Sequence, residues 1–277
     1  MDANRAQADY WSSSAGLKWI EHEHALDTGM LGMMLDAADM ASTDRVIDVG
    51  CGTGASTIET SRRVPDGSVL GIDISDPLLA RAARRAEAAG AHNASFLLAD
   101  AQTHDFRDQQ FDLLVSRLGM SFFSDTVAAL RNLSYALNDR GRMAFVCWAS
   151  VARNPWFAFP KEAAERQHGP LAKADPDAPG PTAFQDRDRV TELLARSGLS
   201  DIEAHAVDIV LTPPDGPVGA ARAASRVGPA ARVMKAYGGS DADEAAIEDA
   251  VRIAFEEFED GDAVRVPAVV NLFTCAR

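Results

Sequence analysis

Apolar residues recur along this chain in two rhythms, and the change between them falls near Arg45. Before it, "AGLKWIEHEHALDTGMLGMMLDAADM" sets Trp19, Ile20, Leu26, Met30, Leu31 and Met34 in a rough helical stripe, so residues 1–41 are predicted helical. After it, short apolar runs alternate with helix-period segments. "RVIDVG", "SVLGIDI", "ASFLLAD", "FDLLVSRLG" and "GRMAFVCW" read as five strands. "ASTIETSRRV", "SDPLLARAARRAEAAG" and "DTVAALRNLSYAL" read as the helices between them. The second has Ser75 as its expected N-cap, Pro77 in its first turn and Gly90 as its stop. Such alternation predicts an α/β fold: a doubly wound, mostly parallel sheet with right-handed crossovers, covered on both faces.

Beyond Trp148 the pattern loosens. "NPWFAFP" and "GPLAKADPDAPGPTAF" are rich in proline and glycine and read as a long connection. "QDRDRVTELLARSGL" reads as a helix closed by Gly198, and "DIEAHAVDIVL" and "VPAVVNLFTCA" as strands six and seven. Between those strands, residues 213–264 carry two helical stretches. One is basic and alanine-rich, "VGAARAASRVGPAARVMKAY"; the other, "EAAIEDAVRIAFEEF", stripes Ile247, Val251, Phe255 and Phe258 at helical spacing. This insertion is expected to pack over the edge of the sheet where ligands bind, at the carboxyl ends of the strands.

The formal net charge of −14 disfavours general binding to nucleic acid, whose phosphates a negative surface repels. Much of the excess lies between Asp241 and Asp262, where ten acids face one base, Arg252, as a solvated helix face would. No apolar run reaches the roughly 18 residues of a membrane helix, and "MDANRAQADYW" has no signal-peptide core, so a cytoplasmic address is expected. Cys51, Cys147 and Cys275 are scattered and form no CxxC, so neither a disulfide framework nor a metal site is expected.

The chemistry concentrates in "VIDVGCGTGAST", residues 46–57. Three glycines in five residues follow a strand and open a helix. A phosphate-cradling loop would need a lysine after the glycines, and none is there. A dinucleotide fingerprint fits formally through Gly50, Gly52 and Ala55, with Asp73 about 20 residues on for a ribose, so a nicotinamide-dependent oxidoreductase is an alternative. Asp48 counts against it, because a carboxylate at that place opposes a pyrophosphate and favours a cation. S-adenosylmethionine carries no phosphate. Its carboxylate can meet the helix N-terminus, its ammonium Asp48, its ribose Asp73, and its adenine the pair Asp100-Ala101. Three acids thus follow three successive strands beside one cationic ligand.

"VIDVGCGTG", "GIDIS", "LLADAQ", "FDLLVSRLGMSFF" and "NLSYALNDRGRMAFVCW" resemble the successive motifs of class I S-adenosylmethionine-dependent methyltransferases, nearest the branch of the ubiquinone/menaquinone-biosynthesis enzymes. The resemblance covers about residues 44–150. It implies a seven-stranded sheet of order 3-2-1-4-5-7-6 with the last strand antiparallel. It divides the chain into a helical lid (1–41), a Rossmann-like cofactor-binding core (42–212 and 265–277) and a helical cap (213–264). Carried over residue by residue, the cofactor set is Asp48, Gly50, Cys51, Gly52, Thr53, Gly54, Asp73, Ile74, Asp100 and Ala101, with Cys51 as a small loop residue rather than a nucleophile. Ser116 and Arg117 take the place that lies along the cofactor. Tyr10 and Trp11 match an aromatic pair that some relatives fold over it.

Relatives that methylate bases or glutamine amides carry an Asn/Asp-Pro-Pro-Tyr/Phe motif after the fourth strand. Here the place reads "SRLG", which points to a small-molecule acceptor of quinone, aromatic or secondary-metabolite type. In-line displacement on a sulfonium needs chiefly a close, aligned acceptor. A phenolic acceptor would also benefit from a base, for which His24 and His168 are weak candidates. In "HEH", His22 and His24 do not share a helix face and so do not make a metal pair. Trp156 and Phe157 are candidates for an apolar acceptor pocket. A catalytically silent cofactor-binding relative is a further alternative. The alanine-rich surface of the insertion permits a homodimer.

Overall fold

A computed structural model describes residues 4–13, 16–17, 29–107, 110–171 and 178–277. The two rhythms of the sequence become strands and crossover helices as expected. The main sheet uses β1 (Arg45–Val49), β2 (Ser68–Asp73), β3 (Ala94–Leu98), β4 (Phe111–Arg117), β5 (Leu137–Trp148), β6 (Ser200–Leu211) and β7 (Val266–Ala276). Counting these seven, its order is β3-β2-β1-β4-β5-β7-β6. The pairs from β3 to β5 are parallel, and β7 runs antiparallel to both neighbours.

Successive side chains on a strand face opposite sides, and the core divides accordingly. Val46, Leu113 and Val115 join one buried cluster; Ile47, Val49 and Leu114 join the other. Both faces are buried, which is why these strands read as continuous apolar runs. Two helices, α1 (Arg5–Trp11) and α2 (Met30–Ala37), precede the sheet. α3 (Ala55–Arg63), α4 (Asp76–Ala88) and α5 (Thr126–Ala136) link the first strands. The expected stripe residues Trp19, Ile20 and Leu26 lie outside the described residues, whereas Met30, Leu31 and Met34 are buried in α2.

Two expectations are corrected. In the expected long connection after β5, "NPWFAFP" opens a helix, α6 (Pro155–His168), with Pro160 inside it, while the described part of residues 169–184 forms neither helix nor strand. Pro155 suits the first helical position. Pro160 removes one backbone donor, a cost of about 3 kcal/mol, and burial of Trp156, Phe157, Ala163 and Ala164 on the same helix offsets it. The basic stretch of the insertion is two helices rather than one. Arg226 and Val227 separate α8 (Gly216–Ser225) from α9 (Gly228–Tyr237), which opens on Gly228 at φ +64°; α7 (Arg187–Arg196) precedes β6, and α10 (Asp241–Phe255) is the third helix of the insertion.

The placement of this layer follows from strand register. Trp148, the carboxyl end of β5, pairs with Val270, while Val266 pairs with Leu211 further along. The β6–β7 hairpin therefore overshoots the ligand edge, and the insertion leaves and re-enters the sheet beyond that edge. α6 packs against α8, α9 and α10, so the helical layer is larger than the insertion alone. The acidic stretch is not wholly a solvated face: Glu244 and Glu248 of α10 pair with Arg226, beside the end of α8.

Candidate active site

The loop 50–54 closes β1 against its neighbours. The backbone N–H groups of Gly50 and Cys51 donate to the carbonyl of Ile72 on β2. Gly50 has φ +68°, and a Cβ there would stand 2.9 Å from Cα of Gly119 in the loop after β4. Only glycine satisfies both conditions. Gly52 also has a positive φ, +55°, yet a Cβ on it would meet nothing within 4 Å, so this part of the loop presents bare backbone to open space. α3 begins immediately afterwards without a side-chain cap, which leaves its first N–H groups without that partner.

Asp48 lies beneath the loop and is 0% exposed. Its Oδ2 accepts hydrogen bonds of 2.6 Å from both the Ser56 and Thr57 hydroxyls on the first turn of α3. Its Oδ1 is buried with no partner among the described residues. Burial pushes its carboxyl up to about 6, opposed by those two hydroxyls and by the charge of Arg117. Asp73, at the end of β2, accepts from the Gly52 N–H at 2.8 Å and the Ser75 N–H at 2.9 Å. Burial raises its carboxyl too, against the pull of those backbone donors. The Cys51 thiol is buried and pushed well up, first by desolvation and then by Asp48 and Asp73. A thiol so held is no nucleophile.

Asp100, after β3, is held by two donors. Its Oδ1 accepts from the backbone N–H of Gln102 at 2.9 Å, and both carboxylate oxygens accept from Nδ2 of Asn4 at 3.0 Å. The neighbouring Ala101 is buried, and its carbonyl accepts from Asn132 of α5. Ser116 is also fully buried, and its hydroxyl donates to the Val49 carbonyl at 2.6 Å, tying β4 to the glycine loop. Leu118, next after Arg117, adopts φ +67°, a strained value for leucine, at the same rim. The glycine loop and the three carboxylates thus gather at the ends of β1, β2 and β3, where the strand order turns back toward β4. Thr53 and Ile74 belong to the same two loops.

The N-terminal pair reaches this rim. The Ser75 hydroxyl, expected to cap α4, donates instead to the Trp11 carbonyl at 3.0 Å. The Trp11 ring stands edge-on to Phe122 at 5.4 Å and to Tyr10 at 5.2 Å.

Other candidates are not brought here. Trp156 and Phe157 are 0% and 2% exposed. Trp156 stacks on Phe255 of α10, and Phe157 stands edge-on to Trp148. They are core, not the wall of an open pocket, because the helix that carries them is sandwiched under the cap. His168 is the last residue of α6, not part of a loop; it stacks on Tyr237 and lies 4.0 Å from Asp243, both on cap helices. His24 lies outside the described residues. Ser56, Thr57, Asn4 and Gln102 were not legible as site residues. Ser56 and Thr57 carry a local signal, hydroxyls in the first helical turn after a buried acid. Asn4 carries none, since it meets Asp100 across 96 residues.

Residues 46–141 match the family model described as a methyltransferase domain. Aklanonic acid methyltransferase DauC of Streptomyces sp. (strain C5) is 34% identical over 48% of this chain and 60% of its own. Demethylmenaquinone methyltransferase of Thermus thermophilus is 36% identical over 39% of this chain and 49% of its own. The chain thus spans about half the length of the curated relatives it matches. The solved structure of Haemonchus contortus phosphoethanolamine N-methyltransferase 2 with S-adenosyl-L-methionine covers 100% of this chain and 60% of that one, at 16% identity and a TM-score of 0.60. The sheet order above is a fold shared with that structure, and the likeness to a methyltransferase domain covers residues 46–141. No helix among the described residues is long and apolar enough to cross a membrane.

Proposed function

We propose that this protein transfers the methyl group of S-adenosylmethionine to a small-molecule acceptor. The observation that carries the reading is the set of three carboxylates, Asp48, Asp73 and Asp100, around a glycine loop that has no phosphate-binding lysine. Each has a part of the cofactor to answer. The uncapped first turn of α3 suits its carboxylate. Asp48, below the loop with one oxygen unpartnered, supplies negative potential for its ammonium. Asp73 and Asp100 accept from the ribose hydroxyls and the adenine amine. The cofactor brings an activated methyl group, and this chain's residues orient it and exclude water.

The acceptor class is a quinone, an aromatic or a related secondary metabolite. The resemblance to aklanonic acid and demethylmenaquinone methyltransferases supports this, as does the "SRLG" after β4. In-line transfer to such an acceptor depends chiefly on holding it close to the methyl group and aligned. Calorimetric titration with S-adenosylhomocysteine, with NADH as control, tests the reading. Micromolar binding of the former alone is expected; binding of NADH alone would replace it with the oxidoreductase.

A further inference from the structure

Residues 4–13 form a strap across three of the loops that bear the site. At one end Asn4, 4% exposed, donates through Nδ2 to both oxygens of Asp100 and, at 3.1 Å, to Oε1 of Gln102. Its Oδ1 accepts from the Ser124 N–H at 2.8 Å, and its backbone carbonyl accepts from Gln7 and Ala8, so the same residue also starts α1. At the other end the Trp11 carbonyl accepts from Ser75, and the Trp11 ring meets Phe122. Between the ends, α1 contributes no buried residue. The described contacts of the strap therefore gather at its ends, polar at Asn4 and both polar and aromatic at Trp11.

One of those contacts uses the group that the cofactor itself needs. In the proposed function, on which this inference rests, Asp100 accepts from the exocyclic amine of adenine. In the structure a primary amide of this chain bridges both oxygens of that carboxylate, and the Gln102 N–H takes a further place on Oδ1. Of the roughly four lone-pair places on a carboxylate, Asn4 and Gln102 occupy three, so an incoming amine competes with Asn4 for the group. We propose that the strap is an internal competitor of the nucleoside. Asn4 supplies the N–H that adenine supplies when bound, and entry of the cofactor exchanges one for the other and frees residues 4–13. Gln102 and the Ser124 N–H, which also bind Asn4, hold the latch when the site is free.

The test uses the full chain, wild type and Asn4→Ala, titrated with S-adenosylhomocysteine, with a thermal melt to show that the variant is folded. Hydrogen exchange on the wild type follows the amides of Ala8 and Ser12, which are bonded within the strap to Asn4 and Ala8. Asn4→Ala is expected to bind about three- to tenfold more tightly, the range for the net worth of one hydrogen bond. Ligand is expected to lower protection of both amides. Unchanged or weaker binding by Asn4→Ala, or protection that rises with ligand, overturns the competitor and makes Asn4 a positioning partner of Asp100. If the wild type is silent and Asn4→Ala binds, the latch is supported in its strongest form. If neither protein binds, the cofactor reading itself fails and the exchange with it.

Discussion

Asp48 keeps a carboxyl group fully buried beneath the glycine loop, with one oxygen bound to two hydroxyls of α3. Its place before the glycines made it a candidate to face a cation. Its burial, and its grip on Ser56 and Thr57, depend on how α3 folds back over β1 and were not visible in the chain. Burial sets a pH dependence. The carboxyl titrates near 6 in the fold and near about 3.9 when unfolded. Between those values the native state keeps a proton that the unfolded state has lost. Stability therefore falls as pH rises from about 4 to about 6, and stays lower above. Asp48→Asn has no charge to bury, so urea melts without ligand should show it about 3 kcal/mol more stable at pH 7.5 and equal to the wild type near pH 4. Equal stability at both pH values would mean the buried charge costs nothing. Asp73 behaves differently, because its oxygens hold the Gly52 and Ser75 N–H groups. Asp73→Ala should weaken S-adenosylhomocysteine by at least about tenfold. Asp73→Asn keeps an acceptor for the loop, so it should lose less, and equal losses in both would assign the whole effect to charge.

Among the elements, the strands that alternate with helices were legible because β1, β4 and β5 bury apolar side chains on both faces of the sheet. The helix α6 was not. Its prolines and the glycine after it read as breakers, and only tertiary packing against α8, α9 and α10 outweighs them. The candidate pocket residues Trp156 and Phe157 are buried for the same cause, since their helix is covered. An aromatic group of Trp156, Phe159, Phe255 and Phe258 joins α6 to the end of α10, with Trp156 and Phe255 stacked at 6.1 Å. Phe255 is 0% exposed, so Phe255→Ala should cost about 3–5 kcal/mol. The loss should be uneven. Hydrogen exchange should rise first in α6 and α8–α10, while β1–β4 stay protected and S-adenosylhomocysteine binds within about twofold of the wild type. A matching fall in ligand affinity would show that the cap helps to shape the cofactor site.

At the scale of the whole molecule, the ligand edge is where parts distant in sequence converge. The glycine loop, Asp73 and Asp100 come from the ends of three adjacent strands, and the strap reaches them from the N-terminal side. Each acid was legible from its place after a strand, but the convergence rests on the reversal of strand order and on a contact across 96 residues. A ligand that touches all three strand ends binds only when β1, β2 and β3 are in register, so it should stabilise the sheet as a unit. At a concentration of about one hundred times its dissociation constant, such a ligand adds about 2.7 kcal/mol. For a chain of this size, that raises Tm by about 5 °C. S-adenosylhomocysteine should produce this shift in wild type, and NADH none. Asp73→Ala should show a smaller shift at the same ligand concentration, because its site is less occupied. Should the protein bind S-adenosylhomocysteine without any rise in Tm, the ligand would be equally at home on the unfolded chain or on a part that melts separately. The joining of three strand ends by one cofactor would then be lost as an account of the site.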